Sequence, residues 1–345
     1  MKNAQLTAVS IFSGCGGFDW GAAQAGVKII WANDHDPYAS AAYRNLFPDV
    51  EFHEGDIREI GDFPKADILI GCYPCTGFSE AAKRRAADMK NRRDLKENDG
   101  NYLYREFLRA LRQVQPRFLF VENVRGMLTA SEGWFLKRQL DNYRRQGYRM
   151  KKELLTANDF GVAQERRRVF LVGVHNSVKD FDYEFPRPTH GPGREHPWRK
   201  LRDVLGQLAA KPDDDYCRKE FHGHYLTRNR KRGWDEISYT IVAHASHVPL
   251  HPDGERMVRV GKDDYELRGA LNRRLSWREC AAIQDLPPHI QVPGGLMAKY
   301  RVVGNAVPPP LAKALLSPVV GYHRGKKFVP ERSRNSIRVR RSSGA

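Results

Sequence analysis

Through residue 175 the chain keeps returning to one rhythm: a short apolar run, a turn, then a stretch with helical spacing. TAVSIF (7–12), KIIWAND (28–34), ADILIG (66–71), RFLFVE (117–122) and RRVFLVGV (167–174) predict strands. Between them, DPYASAAYRNLF (36–47) and YLYREFLRALRQVQ (102–115) carry apolar residues at helical intervals. Strand, helix and strand repeated in this way constrain the chain to an α/β fold, a mostly parallel sheet with helices on both faces.

The texture changes near residue 183, where FPRPTHGPGREHPWRK is rich in proline, glycine and charge and marks a boundary. From there to about residue 270 only short extended pieces such as SYTIVAH (238–244) stand out, which predicts a small, loop-rich unit. Helical spacing returns in SWRECAAIQDL (276–286), where Ser276 and Glu279 make a capping-box pattern, and in PPLAKALLSPVV (309–320). The end of the chain is polar and basic, with too few apolar groups to pack, and is expected to be disordered.

Charge narrows the partners. Lys and Arg number 58 against 41 acids, a net +17. Residues 321–345 hold eight of those cations and one acid, so a surplus of ten remains in the rest of the chain. A cationic excess spread over the folded part points to a polyanion, most often nucleic acid, although a basic soluble enzyme shares this balance. No run approaches the ~20 apolar residues of a membrane span, and the first residues lack a signal-peptide pattern. Cysteines at 15, 72, 75, 217 and 280 make a poor disulfide framework and suit a reducing compartment. The expectation is a soluble, cytoplasmic protein.

Strand TAVSIF runs directly into FSGCGGFDWG, where Gly14, Gly16 and Gly17 allow a tight turn and a close backbone approach to a ligand. The dinucleotide pattern G-x-G-x-x-G fails, because Asp19 stands where its third glycine belongs. Asp34 ends the next strand, well placed for ribose hydroxyls, and Asp56 follows a further short strand before ADILIG. A nucleoside-containing cofactor is therefore expected, on a loop not built for a pyrophosphate. Past strand ADILIG comes GCYPCTGFSE, with Cys72 and Cys75 at the spacing of a redox pair or half a zinc site. A four-cysteine zinc site needs a second close pair, and none is present; a thioredoxin-like pair would open a helix near the start of its domain. A single nucleophilic Cys75, with Cys72 packed as a small buried residue, is the favoured reading. Such a thiolate needs an acid or donor acting on the same substrate. Strand RFLFVE delivers Glu122 and Asn123, and Arg166 and Arg168 lie around the start of RRVFLVGV. Taken singly, these are a strand-end acid and a wet arginine run. His222, His224, His244, His247 and His251 come without a convincing cysteine or carboxylate set, so no metal is expected.

In this order the segments resemble the C5-cytosine DNA methyltransferase family. FSGCGGFDWGAAQAG is similar to its cofactor loop, PCTGFS to its nucleophile motif, VENVRG to its Glu-Asn-Val motif and QERRRVFLVG to its Gln-x-Arg-x-Arg motif. RRLSWRECAAIQDLP and YRVVGNAVPPPLAKAL match its two C-terminal motifs. The resemblance implies S-adenosylmethionine as cofactor, with Phe12 on the adenine and Gly14, Gly16, Gly17 and Pro74 near the methionine part. Asp34 would take the ribose, Asp56 and Ile57 the adenine edge, and Leu103 and Asn305 would complete the pocket. It implies that Cys75 adds to cytosine C6, that Glu122 acts at N3, and that Arg168 with Arg166 holds the base carbonyl or adjacent backbone. The partner implied is double-stranded DNA with the target base flipped out, contacted by a protein that is monomeric on DNA, and a restriction endonuclease acting on the same site is a candidate further partner. The cation-rich stretch 83–96 would close over phosphates.

Because Asn305 must return to the cofactor, a discontinuous catalytic domain is expected over 1–183 and 296–322. A target-recognition domain with its hinge then occupies 184–295, and a basic tail over 323–345 would act as a non-specific tether. Within the recognition domain, Arg228, Arg230, Lys231 and Arg232 are candidates for guanine edges or phosphates and Trp234 for a wedge. Two rivals stand beside this reading. The tRNA-methylating branch of the family usually carries a Cys-Phe-Thr tripeptide, which is missing here. A catalytically silent DNA-binding protein would need a damaged motif, and Cys75, Glu122, Arg166 and Arg168 are all present.

Overall fold

The computed structural model describes residues 4–74, 99–206, 208, 216–221 and 223–325. Cys75, the stretch 83–96, His222 and residues 326–345 of the tail lie outside the described residues. The elements run β1 Thr7–Ile11, α1 Gly17–Ala25, β2 Lys28–Asp34, α2 Pro37–Leu46, β3 Glu51–Glu54, β4 Ile68–Gly71, α3 Tyr104–Val114, β5 Phe118–Val124, α4 Trp134–Arg145, β6 Tyr148–Thr156 and β7 Arg167–His175. There follow α5 Leu201–Leu205, α6 Gly223–Leu226, β8 Val258–Gly261, β9 Asp264–Glu266, α7 Trp277–Ile283, α8 Leu296–Asn305 and α9 Pro309–His323.

Among the described residues, one seven-stranded sheet has the order β3-β2-β1-β4-β5-β7-β6, and β8 and β9 form a separate hairpin. The first five strands are mutually parallel, while β7 runs antiparallel to both β5 and β6. Side chains alternate between two buried faces, as the pleat demands. Ala8, Ile70, Phe118, Phe120 and Phe170 pack against Phe18 and Ala22 of α1 and Leu311 and Leu315 of α9. Val9, Ile11, Leu69, Leu119 and Val121 pack against Phe107 and Leu111 of α3 and Phe135 and Leu140 of α4. With both faces covered, β1, β2, β4, β5 and β7 read as the mainly apolar runs expected of them, while the edge strands β3 and β6 are largely polar.

The C-terminal helix reaches back to the beginning of the chain. A Cβ at Gly21 would lie 2.2 Å from the Pro309 carbonyl oxygen, so the close crossing of α1 and α9 requires glycine there. A third cluster joins Ala39 and Ala42 of α2 to Leu201, Val204, Ile241, Trp277 and Tyr300, so residues after 184 share one core with α2. No described helix is long and apolar enough to cross a membrane.

The expected capping box at α7 is present: Ser276 Oγ accepts from the Glu279 backbone N–H at 3.2 Å, and Glu279 accepts in return from the Ser276 N–H at 2.7 Å. The Glu279 carboxylate, fully buried, also meets Arg273 at 2.8 and 3.0 Å and His251 Nε2 at 3.0 Å. Breaking a buried pair leaves an uncompensated charge, so Glu279→Gln is expected to lower stability by about 3 kcal/mol. A fall in the urea midpoint at unchanged slope checks this; an unchanged midpoint would show that the network contributes nothing net.

Candidate active site

Parallel strands place their C-terminal ends on one edge, and α/β proteins bind ligands outside that edge. Here β4 ends at Gly71, where a Cβ would stand 2.4 Å from the Phe107 ring. Cys72 and Tyr73 follow, then the exposed Pro74, the residue before Cys75. Tyr73 is a buried anchor. Its hydroxyl lies 2.6 Å from Gln139 Oε1 and 2.9 Å from the Tyr143 hydroxyl, both on α4. Asn123 at the end of β5 donates its amide to the Tyr73 carbonyl at 3.2 Å. The backbone leading to Cys75 is thus clamped from the neighbouring strand. Sequence reading set Asn123 beside Glu122 and gave it no task; the clamp is a contact between strands that sequence adjacency does not disclose. Burial pushes the Cys72 thiol well up, with Glu122 adding to the effect, which favours its protonated form.

Glu122 is buried, with 9% exposure, and Arg168 Nε lies 2.9 Å from its Oε1. The antiparallel pairing of β7 creates this meeting: Val124 stands opposite Arg168 and Glu122 opposite Phe170, so the first residues of β7 arrive where β5 ends. Burial pulls the Arg168 guanidinium down and Glu122 holds it up. Arg166 is placed differently. It is 2% exposed, and its Nη1 donates to the carbonyls of Ile241 and Gly304, each at 3.1 Å. Gln164 Oε1 accepts from the Ile241 N–H at 2.8 Å and Thr240 donates to the Glu165 carbonyl at 2.6 Å. Arg166 therefore ties the lead-in of β7 to the segment 238–241 and to α8, whereas Arg168 alone is seen against Glu122.

The cofactor candidates surround the turn after β1. Phe12, Gly14 and Gly16 all have positive φ, at 55°, 57° and 84°. The Asp34 carboxylate, at the end of β2, accepts from the Gly14 N–H at 2.8 Å and the Asp36 N–H at 2.9 Å, and burial pushes it up. Each oxygen keeps a lone pair for a further donor such as a ribose hydroxyl. The three glycines do different work. A Cβ at Gly16 would meet the Phe47 and Tyr43 rings at 2.7 and 3.0 Å, and one at Gly17 the Val307 carbonyl oxygen at 2.4 Å; at Gly14 it would meet nothing within 4 Å. Gly16 and Gly17 are thus required by packing, and Gly14 presents open backbone. Asp56 caps the short turn Ile57–Glu59 and is gripped by Arg58, which holds its carboxyl down at about 2. Ile57 is buried in the same cluster against which the half-buried Phe12 and Leu103 pack, Leu103 being the residue before α3. Asn305 is exposed at the end of α8, two residues before the Val307 that packs on Gly17. An apolar wall, an open glycine backbone and two strand-end acids fit a nucleoside joined to a small amino-acid-like group.

The five expected DNA contacts divide. Arg228 is exposed. Arg230 and Lys231 are 7% and 4% exposed. Arg230 donates to the carbonyls of Tyr225 and His247 at 3.1 and 3.0 Å, and Lys231 Nζ to Leu271 O and Asn272 Oδ1, both at 3.2 Å. Arg232 meets Glu236 at 3.2 Å and lies over the Tyr239 ring at 4.1 Å. Trp234 donates to Asp253 at 3.2 Å and packs edge-on against His251. Arg230 and Lys231 are thus turned inward with their heads on backbone and amide carbonyls, and the guanidinium groups of Arg230 and Arg232 cover the Tyr225 and Tyr239 rings. Among the described residues, no group of three or more His, Cys, Asp or Glu is arranged to hold a metal ion.

The sequence model of the C-5 cytosine-specific DNA methylase family matches residues 6–320. The chain is 36% identical to the Type II methyltransferase M.BsuRI of Bacillus subtilis, over 93% of this chain and 80% of that protein. It is 34% identical to M.FnuDI of Fusobacterium nucleatum, over 88% of this chain and 91% of that one. The S. pombe Dnmt2 methyltransferase shares the fold, with a TM-score of 0.66 at 18% identity over 92% of this chain and 99% of that one. A match that spans both ends of the sheet, the glycine turn and the Glu122–Arg168 pair leaves one assignment: the chain belongs to the C-5 cytosine-specific DNA methylase family.

Proposed function

We propose that this DNA cytosine-5 methyltransferase modifies one cytosine, flipped out of a specific duplex sequence, through a covalent bond between Cys75 and C6 of the base. The observation that carries this reading is the Glu122–Arg168 pair at the carboxyl edge of the sheet, beside the backbone that Asn123 clamps two residues before Cys75. Cytosine C5 is a poor nucleophile until something adds at C6. The Cys75 thiolate adds there while Glu122 holds a proton at N3, so that no net negative charge accumulates on the ring. Arg168 orients Glu122 and faces the carbonyl side of the base. When bound, S-adenosylmethionine supplies the electrophilic methyl group; Gly14 with Asp34, and Phe12 with Leu103, would hold it. Once C5 carries the methyl group its proton passes to solvent, the electron pair left behind re-forms the C5–C6 double bond, and the C6–S bond breaks to release the Cys75 thiolate.

Residues 184–295 form the unit that reads DNA in this proposal, and the exposed Arg228 is its first candidate contact. The relatives carry the Type II designation, which supports a partner endonuclease acting on the same site in the cytoplasm. Transfer of a labelled methyl group from S-adenosylmethionine to duplex DNA and to tRNA tests the substrate directly. The expected product is 5-methylcytosine at one sequence in DNA. Incorporation into tRNA alone, or into neither, overturns the proposal.

A further inference from the structure

The residue that broke the dinucleotide pattern, Asp19, is not accounted for by the chemistry above. It lies in the first turn of α1 and is fully buried. Its Oδ1 accepts from the Ser10 hydroxyl of β1 at 2.8 Å, and its Oδ2 from the Tyr43 hydroxyl of α2 at 2.7 Å. The Tyr43 ring is in turn the surface on which Gly16 rests, as shown by the 3.0 Å approach of a Cβ built at Gly16. One carboxylate therefore pins three elements under the glycine turn: strand β1, helix α1 and, through Tyr43, helix α2. Asp34 ties the other side of the same turn at Gly14.

We propose that Asp19 is a positioning residue of the cofactor site, holding the Tyr43 ring as the floor of the glycine turn, and that cofactor affinity depends on its carboxylate being ionised. The proposal rests on the reading of this turn as the S-adenosylmethionine site. Both hydroxyls donate here, so the ionised form satisfies both, whereas a proton on either oxygen makes the facing hydroxyl an acceptor and leaves that hydroxyl's own O–H without its acceptor. Burial pushes Asp19 up to about 6, with the Tyr43 and Ser10 hydrogen bonds opposing it, which places the change within an accessible pH range. Cys15, Cys72, Tyr43, Asp34 and His35 are the other titratable groups around the turn. Burial holds the Cys15 thiol up at about 12 and the Cys72 thiol well above its usual value, and the Tyr43 hydroxyl is pushed well up as well. Asp34, raised by burial, and His35, exposed 3.6 Å from it, lie on the far side of the turn. From α9 the approach to α1 is made by backbone and Ala312 at Gly21.

Two readouts should move in opposite directions. A raised carboxyl value means that the folded protein takes up this proton more readily than the unfolded chain. The group's contribution to folding stability therefore falls as pH rises from about 4 to 6. Cofactor affinity should instead rise as pH increases through about 6. General loosening of the fold would move both together.

The test is equilibrium binding of S-adenosylmethionine to the whole chain without DNA, from pH 5.0 to 7.5, for wild type, Asp19→Asn, Tyr43→Phe and the double variant, with urea unfolding alongside. Asp19→Asn should weaken binding about ten-fold at pH 7.5 and lose the pH step, since its amide satisfies only one donor. Tyr43→Phe, which keeps the ring, should weaken binding about three-fold, and the double variant by less than the product of the two. Binding within two-fold of wild type in Asp19→Asn, or a pH step that persists in it, overturns the proposal. If Asp19→Asn does not fold, Tyr43→Phe and Ser10→Ala decide, and wild-type affinity in both overturns it equally. A wild-type chain that binds no S-adenosylmethionine at any pH would instead refute the assignment of the turn itself.

Discussion

Cys75→Ser is expected to lower methyl transfer by roughly 10⁴-fold or more, because a serine hydroxyl is almost entirely protonated where a cysteine gives usable thiolate. Binding of S-adenosylmethionine should stay within about two-fold of wild type, since in the proposed mechanism the thiol would act on the base and the turn after β1 would hold the cofactor. Cys72→Ala supplies the contrast. The Cys72 thiol is kept protonated by burial and packs against the core face that includes Ile70 and Phe120, so its loss should leave most of the activity in place. Single-turnover methylation of a duplex substrate, with cofactor affinity measured separately, distinguishes the two cysteines. An inactive Cys72 variant beside an active Cys75 variant would reverse the assignment of the nucleophile.

Glu122→Gln is expected to slow methylation by about 10²-fold or more, the usual loss when a positioned acid or base is removed. The amide still donates a hydrogen bond to N3 but does not readily deliver a proton. The substitution also leaves the Arg168 guanidinium, 2.9 Å from the Glu122 carboxylate in the wild type, without its counter-charge at a buried site. Some loss of stability should accompany the kinetic loss. Measuring the single-turnover rate at saturating DNA and cofactor, well below the unfolding midpoint, separates the two effects. A rate equal to wild type under those conditions would remove Glu122 from the chemistry.

The parallel part of the sheet was legible in the residues because strands buried on both faces must be apolar throughout; KIIWAND and the observed Lys28–Asp34 coincide. Where that physical demand relaxes, legibility goes with it. Strand β6 at the sheet's edge reads YRMKKELLT, charged along its exposed positions, and no apolar run announces it. Helix α1 is hidden for another reason: its GFDWGAAQA sequence is set by close packing on α9, which needs glycine at a position where a helix prefers other residues. Helix α4 carries seven charged or amide side chains among the twelve residues of WFLKRQLDNYRR, and its apolar stripe becomes evident only against the sheet.

For the site, sequence alone determined the chemical kinds present and their order: a glycine turn, Cys75 after a strand, Glu122 and Asn123 ending another, Arg166 and Arg168 around a third. That order carried the family, because each group is tied to the end of a local element whose apolar pattern is itself local. The tertiary structure decided which of these groups meet. Only the reversed direction of β7 brings Arg168 to Glu122, and residue spacing does not encode strand direction. Only three-dimensional packing separates Arg166, turned to the carbonyls of Ile241 and Gly304, from Arg168, two residues away. The same holds for Arg230 and Lys231, whose charge suggested a wet surface and whose carbonyl partners lie up to 41 residues distant in the chain. A charged side chain's environment is set by what folds over it, and that is a property of the assembled chain.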